Sequence, residues 1–207
     1  MWFSIAIGML VSYLLGNLNG AVCMSALMHD DVRTHGSGNA GLTNFIRNYG
    51  AGRSVYVILI DAGKAALACL VTGLLLKPYG CYTEGTALGG LAVMLGHNFP
   101  ALLGFKGGKG ILSGLFIAFV VDWRVALIIL IVFASAYFLT QYVSLGSVLA
   151  SAAFAISFAV LHHDNLTVTL CGVAMGALAV FMHRGNIVRL VKGEERRTNL
   201  FGKGKKS

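Results

Sequence analysis

The chain has 207 residues, 57% of them hydrophobic and 12% charged, with a mean hydropathy of +0.76. A soluble domain does not carry that much apolar surface, so the composition is that of an integral membrane protein. The net charge of +8 does not signal nucleic acid, because eight of the 16 Lys and Arg follow residue 183, where a basic tail behind an apolar run reads as lipid-facing.

A helical span needs roughly 17–25 residues, so the length allows about seven, all α, in a single domain over 1–207. Residues 1–27 lack the positive leader of a secretory signal and read as a retained first span. Within them Asn17 and Asn19 serve either interhelical hydrogen bonds or a site. A polar segment, 28–53, comes next. The second span, 55–76, carries Asp61 and Lys64 three residues apart on one helical face. Ionisable groups at membrane depth face a protein interior, here as a neutralising pair or as support for a site. The third and fourth spans fall at 85–103 and 107–121, and the fifth, sixth and seventh at 125–139, 145–161 and 166–182. Between them Asp122-Trp123-Arg124 and His162-His163-Asp164-Asn165 read as turns.

Seven spans put the loops 28–53, 104–110 and 140–147 on the same side as the tail. That side holds thirteen of the 16 Lys and Arg, against Lys77 and Arg124 opposite. Positive residues mark the cytoplasmic side, so the N-terminus is expected outside and the C-terminus inside.

The segments that carry chemistry all fall on that face. Gly36, Gly38 and Gly41 match GxGxxG, but no strand precedes them, so a dinucleotide fold is rejected. What remains is a glycine turn rich in donors, with Arg47 downstream to grip an oxyanion. Gly107-Gly108-Lys109-Gly110 departs from a Walker A loop, yet bare N–H groups beside Lys109 favour a phosphate. Lys106 is an alternative interfacial anchor, and His97 is structural or functional on equal terms. If the start of the tail is helical, His183, Asn186 and Arg189 share a face. No His, Cys and carboxylate set has metal-ligand spacing; Cys23, Cys69, Cys81 and Cys171 read as buried thiols. A transporter or anion channel is the rival reading, on Asp61 and Lys64 within a span. Against it stand the missing inverted repeat and the gathering of polar residues on one side.

These motifs, in order, resemble those of the bacterial acyl-phosphate:glycerol-3-phosphate acyltransferases, the PlsY family. The likeness runs from Gly36-Ser37-Gly38-Asn39 with Thr43-Asn44 and Arg47, through Gly96-His97 to Phe105-Lys106-Gly107-Gly108-Lys109-Gly110. It continues with Tyr142-Val143-Ser144-Leu145, His183-Arg184, Asn186-Ile187, Arg189-Leu190 and Gly193-Glu194. It implies seven membrane helices and a multi-pass protein of the bacterial inner membrane whose active site faces the cytoplasm. The implied reaction moves an acyl group from acyl phosphate to the 1-hydroxyl of glycerol 3-phosphate, giving lysophosphatidic acid and phosphate without a cofactor or metal. Membrane lipids are then the surroundings, nucleic acid is not a partner, and the oligomeric state is left open, a monomer included.

Carried over residue by residue, Ser37, Lys109, His183 and Asn186 are the expected catalytic residues. Gly38, Asn39, Thr43, Asn44, Arg47, Lys106, Gly107, Gly108, Gly110 and Ser144 join them in binding substrate. The pattern departs at Gly16-Asn17-Leu18-Asn19-Gly20, where a proline after a serine is common. It departs again at Ala40-Gly41-Leu42-Thr43, at Ile111-Leu112-Ser113 and at Gln141. Acyl phosphate is already activated, so positioning and charge neutralisation suffice for the chemistry. The glycerol hydroxyl loses its proton to His183 or, on the favoured route, to a substrate phosphate oxygen.

Overall fold

The computed structural model describes residues 1–197; the tail lysines at 203, 205 and 206 lie outside them. Among the described residues the regular structure is all helical: α1 (Trp2–Gly16), α2 (Gly20–Ala26), α3 (Leu42–Tyr49), α4 (Ala51–Leu76), α5 (Tyr82–Asn98), α6 (Ile111–Val121), α7 (Trp123–Thr140), α8 (Val143–Leu161), α9 (Leu166–Met182) and α10 (Arg184–Val191), with three short 3-10 turns. Every apolar run of the sequence is helical. Four, built on α4, α5, α7 and α8, are long and apolar enough to cross a membrane unaided. Two bent pairs, α1 with α2 at 44° and α9 with α10 at 54°, reach that length only when each pair is taken together, and α6 is too short, so the described residues hold four to six candidate spans where seven were expected.

Three boundaries differ from expectation, each for a local reason. The third span begins at Tyr82 rather than 85 and ends at 103 as expected. Its α-helix stops at Asn98, because Pro100 disfavours helical backbone at Phe99, and residues 101–103 complete it as a 3-10 turn. The polar segment 28–53 contains α3, so Thr43, Asn44 and Arg47 ride on a short helix rather than a loop. The fourth span is only 11 residues, since Gly107 to Gly110 stay non-helical. At 1.5 Å per residue α6 rises roughly 16 Å, against about 27 Å for α7. The loop before α6 therefore lies well below the end of α7, and its lysine sits in a pit.

The break in the first span is built, not frayed. Asn19 caps α2 by accepting from Val22 N (3.0 Å), and its Nδ2 donates to Ala40 O (2.9 Å). Asn17 Oδ1 accepts from Leu102 N (3.0 Å). Both asparagines thus make hydrogen bonds, but to the two polar loops rather than across helices. Beneath them Lys64 donates to Leu18 O (2.5 Å) and pairs with Asp61 (2.8 Å), whose Oδ1 also accepts from Gly20 N (3.1 Å). A lysine and a carboxylate are under 5% exposed here because each answers a backbone group that the break leaves bare.

Small residues let the central helices approach. A Cβ on Gly16 of α1 would stand 2.7 Å from Gly96 Cα of α5, so the crossing requires glycine. The core joins Ala65, Ala68 and Cys69 of α4 to Val93 and Met94 of α5, and then to Ile117, Phe154, Phe158 and Met175. At the end away from the glycine loops, Asp122 caps α7 through Arg124 N (2.9 Å) and accepts from His162 Nε2 (3.0 Å). Asn165 caps α9 and donates to Glu84 (2.8 Å). Both sequence turns are structural clasps.

Candidate active site

At the opposite end from those clasps lies a cavity of about 500 Å³. Distant stretches of chain reach it: the 36–47 segment, Asp61 of α4, His97 of α5, the loop before α6 with the start of that helix, α7, the start of α8, the α9–α10 junction and residues 194–196.

The first wall is organised by Asn44. This buried side chain donates to Val32 O (3.0 Å), His35 O (3.0 Å) and Asn39 O (3.1 Å), while its Oδ1 accepts from Ser37 N (3.1 Å). Its hydrogen-bonding capacity is spent on holding the glycine turn, so Asn44 shapes the site from behind. Ser37, Asn39, Thr43 and Arg47 line the cavity. The Ser37 hydroxyl has no partner among the described residues.

The second wall is the glycine–lysine loop. Gly108 N–H donates to His97 O (3.0 Å), and a Cβ on Gly108 would collide with the His97 ring and stand 2.9 Å from Ala40 O. Gly107 is pressed as closely on His97 O and Pro100. Bare backbone is required at both, and the loop passes under the first wall to deliver Lys109. Gly110 then caps α6 with no side chain on the opening N–H groups, and Gly110, Ile111 and Leu112 line the cavity. Uncapped N–H groups at a helix start favour an anion there.

The third wall comes from the chain end. His183 ends α9 and Asn186 lies in the first turn of α10, as the shared-face reading required, with Arg189 beyond them. Lys109 Nζ donates to Asn186 Oδ1, Asn186 Nδ2 donates to Glu195 Oε1 (2.9 Å), and Arg189 Nε donates to Glu195 Oε2 (2.7 Å). His183 Nδ1 is 2.8 Å from Ala179 O. A carbonyl only accepts, so Nδ1 carries the proton and the neutral ring keeps its lone pair on Nε2. Burial pushes the Lys109 ammonium down to about 8, helped by Arg189 and Arg47 and opposed by Glu195.

The remaining walls are apolar. Leu112 and Leu115 of α6, Ile129, Leu130 and Phe133 of α7, and Val143 of α8 form a trough, with Ser144 and Ser147 at its polar end. Leu130 is 44% exposed on the outer face of α7, so the trough reaches the lipid-facing side.

Of the residues expected at the site, Ser37, Asn39, Thr43, Asn44, Arg47, Lys109, Gly110, Ser144, His183 and Asn186 line this one cavity. Gly38, Lys106, Gly107 and Gly108 do not line it; Lys106 is exposed, and the two glycines seat the loop. Asp61 and His97 line the floor, which sequence left undecided. No expectation placed Glu195 at the site, yet it lines the cavity beside Glu194, which entered only as part of the family likeness. The available signal was an acidic pair in an otherwise basic tail, but nothing in it says which carboxylate Asn186 and Arg189 hold.

A cationic rim joined to an apolar trough, within a bundle of membrane-length helices, defines a polytopic membrane protein that holds an anionic head beside a greasy chain. The chain belongs to the glycerol-3-phosphate acyltransferase family, whose model, described as Glycerol-3-phosphate acyltransferase, matches residues 6–193. It is 37% identical to the Glycerol-3-phosphate acyltransferase of Finegoldia magna over 187 residues, 90% of this chain and 92% of the relative. It is 36% identical to that of Aquifex aeolicus, over 90% of this chain and 95% of the relative. Among solved structures it is similar to the glycerol 3-phosphate form of PlsY (YgiH), an integral membrane glycerol 3-phosphate acyltransferase, with a TM-score of 0.85 at 33% identity, covering 95% of this chain and 96% of that one. The lysophosphatidic acid form superposes with a TM-score of 0.82.

Proposed function

We propose that this chain, as one domain over 1–207, transfers a fatty acyl group from acyl phosphate to the sn-1 hydroxyl of glycerol 3-phosphate, yielding lysophosphatidic acid and inorganic phosphate. The observation that carries this reading is that donors from the 36–47 segment, the glycine–lysine loop and the α9–α10 junction meet in one cavity with an apolar trough. Two phosphorylated substrates, one bearing a long chain, need that combination.

The hydroxyl oxygen attacks the acyl carbon, an ester C–O bond forms, and the acyl–phosphate C–O bond breaks with phosphate leaving. Lys109 and Arg47 neutralise the phosphates, and the Ser37 hydroxyl, the Ser144 hydroxyl and the Asn186 amide steady developing negative charge. The hydroxyl proton passes to an oxygen of substrate phosphate, with the Nε2 lone pair of His183 as the alternative acceptor. The chain's task is then to hold both substrates in register, the larger part of such catalysis. The thirteen Lys and Arg that gather with the cavity's loops and tail support a cytoplasmic site in the inner membrane of a bacterium, with the N-terminus outside.

The donor is tested by offering purified protein labelled glycerol 3-phosphate with acyl phosphate, acyl-CoA or acyl carrier protein in turn. Labelled lysophosphatidic acid is expected from acyl phosphate alone. Product from either thioester, and none from acyl phosphate, would overturn the assignment.

A further inference from the structure

We propose that His97, held in a single tautomer by Lys64, is a positioning residue that fixes the glycine–lysine loop so that Lys109 meets the substrate phosphate from a set direction. The inference rests on the acyltransferase reading above and assigns roles to two buried groups that the chemistry itself leaves unused.

Lys64 Nζ has three N–H groups and no lone pair. Its near neighbours are Asp61 Oδ1 (2.8 Å), Leu18 O (2.5 Å) and His97 Nδ1 (2.8 Å), with Gly16 O further away at 3.3 Å. Three donors therefore meet three acceptors, and His97 Nδ1 must be one of the acceptors. The proton of the neutral ring then sits on Nε2, which has no hydrogen-bond partner among the described residues although His97 is only 4% exposed. Asp61 Oδ1 is 3.7 Å from Nδ1, too far to compete for it.

With its orientation set from behind, His97 holds Gly108 at two points. Its carbonyl accepts the Gly108 N–H (3.0 Å), and its Nε2 edge occupies the space that a Gly108 side chain would need. The neighbouring Ala40 O, also against Gly108, is itself tied to the broken first span by Asn19 Nδ2 (2.9 Å). The carbonyls that Lys64 answers, Gly16 O and Leu18 O, belong to that same break. So α1, α4 and α5 converge on one imidazole, and it presses on the residue immediately before Lys109. A histidine that only filled the core would not touch the loop at both ring and carbonyl, nor line the floor of the cavity.

The test uses full-length protein in detergent, assayed with acyl phosphate and glycerol 3-phosphate, with thermal melts to confirm folding. His97→Ala should raise KM for glycerol 3-phosphate about tenfold, the scale of coupling between contacting residues. It should also move the alkaline limb of kcat/KM upward, because a released loop lets water reach Lys109. His97→Asn, whose Oδ1 can still accept from Lys64, should recover part of both changes. Gly108→Ala should be harmful alone and cost several-fold less in the His97→Ala background, where the ring is gone. Unchanged KM and an unmoved limb in both His97 variants, or strict additivity with Gly108→Ala, would overturn the proposal. Should His97→Ala not fold, His97→Asn is judged by the same two readouts. A wild-type protein that makes no lysophosphatidic acid would instead count against the acyltransferase reading.

Discussion

Lys109 Nζ donates to Asn186 Oδ1 across 77 positions of sequence, joining the loop that opens α6 to the first turn of α10. The amide is thereby fixed, with its Nδ2 committed to Glu195. A substrate phosphate entering the cavity meets an ammonium already aimed by a neutral partner, so binding it needs little rearrangement. Removing either member should cost more than one ordinary hydrogen bond. Lys109→Ala and Arg47→Ala are each expected to lower kcat/KM for glycerol 3-phosphate by about 10²-fold or more, the range for loss of a charge-stabilising donor. Lys109→Ala with Asn186→Ala should lose much less than the product of the single losses. Steady-state kinetics on these variants, with Asn186→Ala alone as the fourth, measures both, and near wild-type rates in either cation variant would misplace the anion site.

The pH dependence follows from the same lysine. Burial and the neighbouring Arg189 and Arg47 bring Lys109 down to about 8. A lysine binds phosphate as the ammonium, so the favourable form prevails below that value and is lost as pH rises through it. The profile of kcat/KM, which reports the free enzyme, should fall on an alkaline limb near pH 8. Lys109→Arg, whose guanidinium stays charged, should remove that limb even where the overall rate is lower.

His183 separates the two proton acceptors. With Nδ1–H committed to Ala179 O, Nε2 is free to accept a proton from the glycerol hydroxyl. On the substrate-phosphate route, His183→Gln retains a polar group at the junction and should keep an acidic limb in its pH–rate profile, with a loss smaller than about 10²-fold. Disappearance of that limb together with nearly all activity would make the imidazole the obligatory base.

Sidedness is tested by chemistry from either face. In a background without Cys23, Cys69, Cys81 and Cys171, a membrane-impermeant thiol reagent applied from outside intact cells should label Gly80→Cys and Asp164→Cys and leave Ser37→Cys untouched. The reverse pattern would invert the protein in the bilayer.

The apolar helices, though not their count as seven spans, the basic tail and the order of the site segments were legible in sequence, for physical reasons. Spans announce themselves because lipid tolerates few charges over 20 residues. His183, Asn186 and Arg189 could be placed on one face because helical spacing alone puts them there. What stayed hidden depended on contacts between distant segments. Asn44 reads as a ligand, yet its bonds go to Val32 O, His35 O and Asn39 O. Gly108 reads as a phosphate cradle, but its missing Cβ makes room for His97. The shortening of α6, which sinks Lys109 into its pit, follows from four non-helical residues whose conformation is held by α5, Pro100 and Ala40 O rather than by their own propensities. Asp61 and Lys64, read as a neutralising pair or as support for a site, do pair at 2.8 Å; what the sequence did not show is that much of the rest of their bonding is spent on the broken first span.

The most direct measurement of the central claim counts products from wild-type protein and from Lys109→Ala, each reconstituted in vesicles with palmitoyl phosphate and labelled glycerol 3-phosphate. One cavity holding both phosphorylated molecules predicts lysophosphatidic acid and inorganic phosphate appearing in equal amounts, with both lost together in the variant. Folded wild-type protein that forms no lysophosphatidic acid, or a variant that forms it at the wild-type rate, would contradict the account.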